Sequence, residues 1–156
     1  MFTIRRADTN DVETLVRFRL ALLREIGHIT AELGEAELES LVEAHRQYFT
    51  RNIAPGSFIG FVAVADGTIL ATGGIVLIHR PPYIGNLAGR DAYVMNMYTA
   101  PEWRGKGIGI RILAAMLAFA KEAGAKRVWL HSEPRARKLY ERAGFVSKSS
   151  EMEITL

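Results

Sequence analysis

Three glycines and two cations lie close together in the stretch 99–109, which reads TAPEWRGKGIG. The apolar run Tyr93–Thr99 leading into it predicts a strand, and the apolar face of Ile110–Ala123 after it predicts a helix. The first turn of a helix has unpaired N–H groups and a partial positive charge, and glycines let a ligand come close to that backbone. The stretch therefore predicts an anion-binding turn, and a pyrophosphate is the anion that we expect.

The glycine spacing excludes two common phosphate motifs. A P-loop has Ser or Thr after its Gly-Lys pair, whereas Lys106 is followed by Gly107. A dinucleotide fingerprint beginning at Gly105 would need a third glycine where Ile110 stands. The pattern that remains is R-x-x-G-x-G, at Arg104, Gly107 and Gly109.

A second pattern, KLYERAGF, spans 138–145 and follows the first by one strand and the start of a helix. The two stretches resemble the signatures of the GNAT (Gcn5-related) N-acetyltransferases. That family binds acyl-CoA through Q/R-x-x-G-x-G/A and carries a tyrosine in a motif close to L-Y-E-K/R-x-G-F. The order of elements also agrees, so the resemblance covers the whole chain.

The remaining segments supply the elements that must position these stretches. Apolar periodicity and turn residues predict a mixed α/β order. Its first elements are a strand at 2–6, a helix that ends near Gly27, a second helix at 35–53, and strands at 58–65 and 69–78 around an Asp66–Gly67 turn. A loop at 79–91 then leads to the central strand. The last elements are a strand at 127–131, a helix from Pro134 to about Ala143, and a pair of strands from Phe145 to Leu156. Gly73–Gly74 predicts a bulge or a close backbone approach. The strands at 93–99 and 127–131 predict a parallel crossover, with the glycine-rich turn at the carboxyl end of the first.

The resemblance implies a single-domain GNAT-like α/β (α+β) fold over residues 1–156. Its central sheet is mixed and mostly antiparallel, splays at the fourth strand and is flanked by helices. The resemblance also implies acetyl-CoA as acyl donor, with its pantetheine arm along the fourth strand. The cofactor-binding positions carried over are Met97, Tyr98, Thr99, Arg104, Gly105, Lys106, Gly107, Ile108, Gly109 and Ile110. Tyr140 corresponds to the family's general acid, and a core tyrosine is the alternative interpretation.

The acceptor side is harder to predict. Asn96 and Glu25 are the candidate substrate residues. Asn96 is chosen because a buried amide in a central strand needs hydrogen-bond partners, and a structural bond to a neighbouring loop is the alternative. Arg19, within an apolar helix stripe, either extends to water or contacts substrate. Glu133 stands where many family members have a cofactor-touching Asn, and Val128 where some have a base glutamate. Glu25, Asp91 and Glu151 therefore remain candidates for the base, together with water relayed past Asn96. We expect His131 to be a structural residue at a strand end.

Composition limits the function classes. The 156 residues contain no cysteine, which excludes a thiolate acyl carrier and predicts direct transfer to an amine of a small molecule or peptide. A net charge of +3 without a Lys/Arg block gives no reason to expect a nucleic-acid partner. We expect a cytoplasmic location, no membrane segment and no metal, because the sequence lacks an h-region, a long apolar run and a metal-ligand spacing. A homodimer, and a non-catalytic acyl-CoA-binding module, are the open alternatives.

Overall fold

The computed structural model describes residues 1–148 and 152–155 and contains a five-stranded sheet in the order β1-β2-β3-β4-β5. The strands are β1 (Thr3–Arg6), β2 (Ile59–Ala65), β3 (Thr68–His79), β4 (Arg90–Thr99) and β5 (Arg127–Trp129). The helices are α1 (Val12–Glu25), α2 (Glu35–Ile53), α3 (Ile108–Glu122) and α4 (Arg137–Arg142). All neighbouring strands pair antiparallel except β4 and β5, which pair parallel. The predicted mixed, mostly antiparallel sheet is therefore confirmed.

Two apolar cores cover the two faces of the sheet. On one face, α3 contributes Ile108, Ile112, Leu113 and Met116, each no more than 1% exposed. On the other face, α1 and α2 pack through residues such as Leu15, Leu23 and Phe49. Full burial of one such side chain stabilises the fold by about 1.5–3 kcal/mol, so the helices are held by these apolar faces.

The hairpin between β2 and β3 turns where it was predicted. Asp66 and Gly67 have φ values of 48° and 74°, as a two-residue hairpin turn of type I′ requires. Farther along β3, a Cβ on Gly74 would lie 2.4 Å from the Phe58 ring, and one on Gly73 would lie 2.6 Å from Ile112 Cγ2. The glycine pair therefore permits close approach from both faces of the sheet.

A bulge interrupts β4 opposite that glycine pair. Thr72 pairs with Tyr98 and Gly74 with Met95, so two residues of β4 oppose the single Gly73. The first of the two, Asn96, has a φ of 56°. Asparagine tolerates the left-handed region better than most residues. The backbone conformation at this bulge therefore explains why an asparagine occurs at position 96.

The sheet splays on the other side of β4. β5 pairs only with Asp91, Ala92 and Tyr93, and its strand ends at Trp129. Within the described part of the chain, no strand therefore neighbours the backbone edge of β4 on that side from residue 94 onward. This is the slot that the resemblance implies.

The C-terminal prediction needs correction. Among residues 145–148 and 152–155 the structure contains no strand, and 149–151 and Leu156 lie outside the described residues. Phe145 instead terminates α4: its N–H donates to the Tyr140 carbonyl at 3.0 Å, Gly144 has a φ of 91°, and the Phe145 and Tyr140 rings pack edge to face. These are the features of a Schellman helix end. No helix in the described part of the chain is long and apolar enough to span a membrane.

Candidate active site

A cleft of about 790 Å³ opens along the free edge of β4. Its walls come from α1, β4, the start of α3 and α4. It brings together the predicted cofactor and substrate positions, with Lys106 as the exception. Those that line it are Glu25, Asn96, Met97, Tyr98, Thr99, Arg104, Gly105, Gly107, Ile108, Gly109, Ile110 and Tyr140. We call 98–110 the turn end of the cleft, and Arg19, Tyr93 and His131 its aromatic end.

The turn end presents backbone rather than side chains. Gly105 and Gly107 both have a φ of 74°, and a Cβ on either would meet no atom within 4 Å. Gly107 is the residue before α3, and no side chain caps that helix. The first N–H groups of α3 are therefore available to an anion, which is what the glycine spacing predicted. Lys106 lies outside the cleft, with its ammonium 4.3 Å from the centre of the Trp103 ring.

Arg104 is held at this end by two contacts. Its Nε donates to the Thr99 carbonyl at 2.9 Å, and its Nη2 lies 2.6 Å from Glu25 Oε1. The second oxygen of Glu25 lies 3.0 Å from Arg135 Nη2. The Tyr98 hydroxyl also donates to Glu25, at 3.0 Å. Glu25 thus joins α1, β4 and the two arginines across the mouth of the cleft.

The candidate bases Glu25 and Asp91 lie in different surroundings. Partial burial of Glu25 opposes its charge, but hydrogen bonds from Arg104 and Tyr98 outweigh that effect and lower its pKa, so it is a poor proton acceptor. Asp91 is 1% exposed, lies outside the cleft and is paired with Arg80 and Arg127. Glu151 lies outside the described residues. The geometry therefore favours neither Glu25 nor Asp91 as base.

Tyr140 connects the two ends of the cleft. The preceding residue, Leu139, faces Gly109: a Cβ added there would lie 3.0 Å from Leu139 Cδ1. The Tyr140 side chain is 8% exposed, and its hydroxyl has no hydrogen-bond partner among the described residues. Burial, helped by the nearby Tyr93 phenol, raises the pKa of Tyr140 to about 12. The phenol is therefore protonated at neutral pH.

The aromatic end contains groups that the sequence did not assign to the site. Tyr93 Oη lies 2.8 Å from Nδ1 of His131, and both rings pack with Trp129. We expected a structural His131, yet the side chain is exposed and lines the cleft. The available signal was the parallel crossover, which brings the end of one predicted strand beside the next. Glu133 also lines the cleft.

Asn96 lines the cleft as expected, but not as a buried amide. It is half-buried, and within the described part of the chain its side chain has no hydrogen bond. Its backbone carbonyl accepts from the Thr72 hydroxyl at 3.3 Å. A substrate contact by Asn96 therefore stays a prediction.

Comparison with known proteins agrees with this geometry. Residues 23–145 match the model of the acetyltransferase (GNAT) family. A probable glucosamine 6-phosphate N-acetyltransferase 2 of Oryza sativa subsp. japonica is 34% identical over 92 residues, which are 59% of this chain and 54% of that protein. The chain thus matches about half the length of this relative. An aminoglycoside N(6')-acetyltransferase type 1 of Stenotrophomonas maltophilia is 27% identical over 127 residues, covering 81% of this chain and 72% of that protein.

A solved structure extends the match to nearly the whole chain. The crystal structure of a predicted acetyltransferase from Clostridium acetobutylicum with acetyl-CoA has a TM-score of 0.87 and 29% identity. The match covers 99% of this chain and 96% of that one. Since the family model matches well over half of the residues, the chain belongs to the acetyltransferase (GNAT) family and is an acyltransferase.

Proposed function

We propose that the protein transfers an acetyl group directly from acetyl-CoA to a primary amine of a small molecule or peptide. The observation that carries this proposal is the convergence, in one cleft, of the free β4 edge, the uncapped start of α3 and the phenol of Tyr140. The Clostridium acetobutylicum structure contains acetyl-CoA, which supports the same ligand here.

The groups at the turn end fit the parts of this ligand. Unpaired N–H and C=O groups along the β4 edge suit the amides of a pantetheine arm, which can pair as an added strand does. The N–H groups at the start of α3 suit a pyrophosphate, and Arg104 adds a cation beside them. With no cysteine to carry the acyl group, the amine attacks the thioester carbonyl itself, the C–N bond forms and the C–S bond breaks.

Tyr140 is the group that we assign to the departing thiolate. Its raised pKa, near 12, keeps the proton in place, so a donor is always present at neutral pH. An ordinary thiol has a pKa of about 8.5, so complete transfer from so weak an acid is uphill. Tyr140 therefore stabilises the developing negative charge on sulfur chiefly by donating a hydrogen bond.

The amine must lose a proton before it attacks, and we propose His131, which lines the cleft, as the acceptor. When Nδ1 carries the imidazole proton and donates it to Tyr93 Oη, Nε2 is left with its lone pair. The Tyr93 contact would then both orient the ring and fix its tautomer. Glu25 and Asp91 lack such an arrangement.

The named relatives favour a small acceptor. One is named for glucosamine 6-phosphate and the other for aminoglycosides, and both of these substrates are amines. A peptide acceptor, a homodimer and a cytoplasmic location stay predictions from the sequence.

The test combines acetyl-CoA binding with an acceptor screen. Acetyl-CoA should raise the melting temperature, and a panel of sugar amines, aminoglycosides, amino acids and short peptides should include one that releases CoA. Because the chain has no cysteine, a thiol-reactive dye reports CoA without background from the enzyme. Binding without turnover on any amine would support the non-catalytic alternative, and absence of binding would refute both.

A further inference from the structure

Arg19 is a cation that lines the cleft and whose charge the proposed chemistry does not use. It lies on α1 at the aromatic end, half-buried, among residues that include Tyr93 and His131. The Tyr93 phenol is close enough to influence the pKa of Arg19. Arg19 therefore faces the part of the cleft beyond the thioester, not the outer surface of α1.

This guanidinium has no anionic partner within the described part of the chain. Burial lowers its pKa, with Tyr93 acting in the opposite direction, yet an arginine stays charged at any physiological pH. The other titratable group that it faces, His45 on α2, is itself disfavoured as a cation by burial and by Arg19. Glu25 already forms ion pairs with Arg104 and Arg135 and accepts a hydrogen bond from the Tyr98 hydroxyl.

A half-buried charge without an oppositely charged partner lowers the stability of the folded protein. Desolvated cations are normally found paired, because an opposite charge restores what solvation they lose. Arg19 lines the cleft and is partly desolvated, so the water that it can reach is water inside the cleft, which a bound ligand would displace. The missing partner is therefore expected in a ligand.

Acetyl-CoA does not supply that partner. Its pyrophosphate is assigned to the start of α3, and Tyr93 lies five residues along β4 from Tyr98, roughly 16 Å away at 3.3 Å per residue. The pantetheine arm and thioester between these points are neutral. An anion near Arg19 must therefore belong to the acceptor.

We propose that the acceptor is an amine that also carries an anionic oxygen group, a carboxylate or a phosphate, and that Arg19 binds this group. Guanidinium forms paired, charge-assisted hydrogen bonds with either anion. The inference rests on the proposed acetyl transfer and specifies its substrate class. Arg19 would set specificity by orienting the amine toward the thioester.

The first test compares matched amines that differ only in the anion. Suitable pairs are glycine with glycinamide, O-phosphoethanolamine with ethanolamine, and a phosphorylated amino sugar with its unphosphorylated form. In at least one pair, kcat/KM should be 10- to 100-fold higher for the anionic member, the usual range for a charge-assisted contact. The pair that responds distinguishes a carboxylate from a phosphate.

Substitutions of Arg19 and of a nearby arginine separate the specific contribution of Arg19 from the general effect of removing a positive charge. Arg19→Gln should abolish the preference for the anionic member, mainly through KM, and Arg19→Lys should restore part of it. Arg17→Gln is the matched control, because Arg17 lies two residues earlier on α1 and is exposed. That control should keep the full preference. Acetyl-CoA stabilisation of Arg19→Gln verifies that the variant is folded.

A binding measurement needs no turnover. With CoA saturating the turn end, millimolar phosphate or acetate should stabilise the wild type and Arg17→Gln in a thermal melt, but not Arg19→Gln. Equal turnover of neutral and anionic amines, or no Arg19-dependent anion binding to the CoA complex, would overturn the inference while leaving acetyl transfer intact. Loss of acetyl-CoA binding or of all transfer would instead count against the proposed function.

Discussion

The two ends of the cleft are built in different ways. The turn end comes from one continuous stretch, 98–110, and offers mainly backbone groups held by left-handed glycines. The aromatic end is assembled from side chains on α1, β4 and the segment after β5, which are distant in sequence. A site made of local backbone leaves a readable motif, whereas a site made of converging side chains does not. This difference explains why the donor is easier to infer than the acceptor.

Tyr140 lies between the two ends, and its loss should have the largest effect. Tyr140→Phe removes the proposed donor to sulfur and should reduce kcat by about 10²–10⁴-fold, with acetyl-CoA affinity unchanged. Steady-state kinetics and calorimetry measure the two quantities. Tyr83→Phe, in a residue that is 50% exposed on the loop between β3 and β4, is the control and should be silent. Full turnover by Tyr140→Phe would show that the hydroxyl is only structural.

The turn end can be tested by adding a methyl group to each of two glycines, one inside the cleft and one outside it. Gly107 and Gly67 share a φ of 74°, and neither would bring a Cβ within 4 Å of another atom. Gly107→Ala and Gly67→Ala should therefore each lose about 1–2 kcal/mol of stability through backbone strain. Only Gly107→Ala places its methyl beside the proposed pyrophosphate position, so it alone should weaken acetyl-CoA binding, by about tenfold (1.4 kcal/mol).

Denaturant unfolding and acetyl-CoA titration of the two variants provide the comparison. Equal stability losses with unequal affinities would support a site made of backbone. Equal affinities would mean that the start of α3 does not approach the pyrophosphate.

The sequence predicted the local features of this fold well. The Asp66–Gly67 turn, the order of elements through α4 and the glycine-rich turn before α3 all depend on neighbouring residues, whose spacing is visible. Asn96 was chosen as a buried amide, whereas the structure shows it half-buried. Its left-handed φ depends on the bulge opposite Gly73, a contact across two strands that the sequence does not show. His131 was predicted to be a structural residue at a strand end, because nothing near it in sequence indicates its contact with Tyr93.

Phe145 shows how two local signals can conflict. An apolar residue after a glycine is consistent both with the start of a strand and with the closing contact of a helix end. The helix end is what forms, since the Phe145 N–H and ring both engage Tyr140. Deciding between the two required the packing of α4, which the sequence pattern does not contain.

Glu25 couples the turn end to α1, and neutralising it should have a moderate effect. Glu25→Gln removes a carboxylate near the expected pyrophosphate, while Arg104 keeps its bond to the Thr99 carbonyl. Acetyl-CoA affinity should rise about two- to fivefold, the size of a 0.3–1 kcal/mol charge interaction. Calorimetry at low salt measures the change, and Glu39→Gln on the exposed side of α2 is the control. A loss of affinity would mean that Glu25 positions Arg104 for binding.

The same substitution has a pH signature. The pKa of Glu25 is lowered in the folded protein, so its contribution to stability is present above the unfolded value of about 4.3 and is lost as pH falls through the folded value. Unfolding free energies should therefore fall less between pH 7 and pH 3 in Glu25→Gln than in the wild type. A parallel decline in both proteins would show that the ion pairs with Arg104 and Arg135 contribute nothing measurable.

Lys106 should have the smallest effect, although it lies inside the glycine-rich motif. Its ammonium packs on Trp103 and does not line the cleft, whereas the backbone on either side of it does. If the turn end works through backbone groups, Lys106→Ala should change acetyl-CoA affinity by less than about twofold, the effect of one solvated charge in salt. Titrations at 50 and 300 mM salt, with Lys121→Ala as the surface control, make the comparison with Gly107→Ala direct. A loss as large as that of Gly107→Ala would make side-chain charge, not helix geometry, the basis of binding at this end.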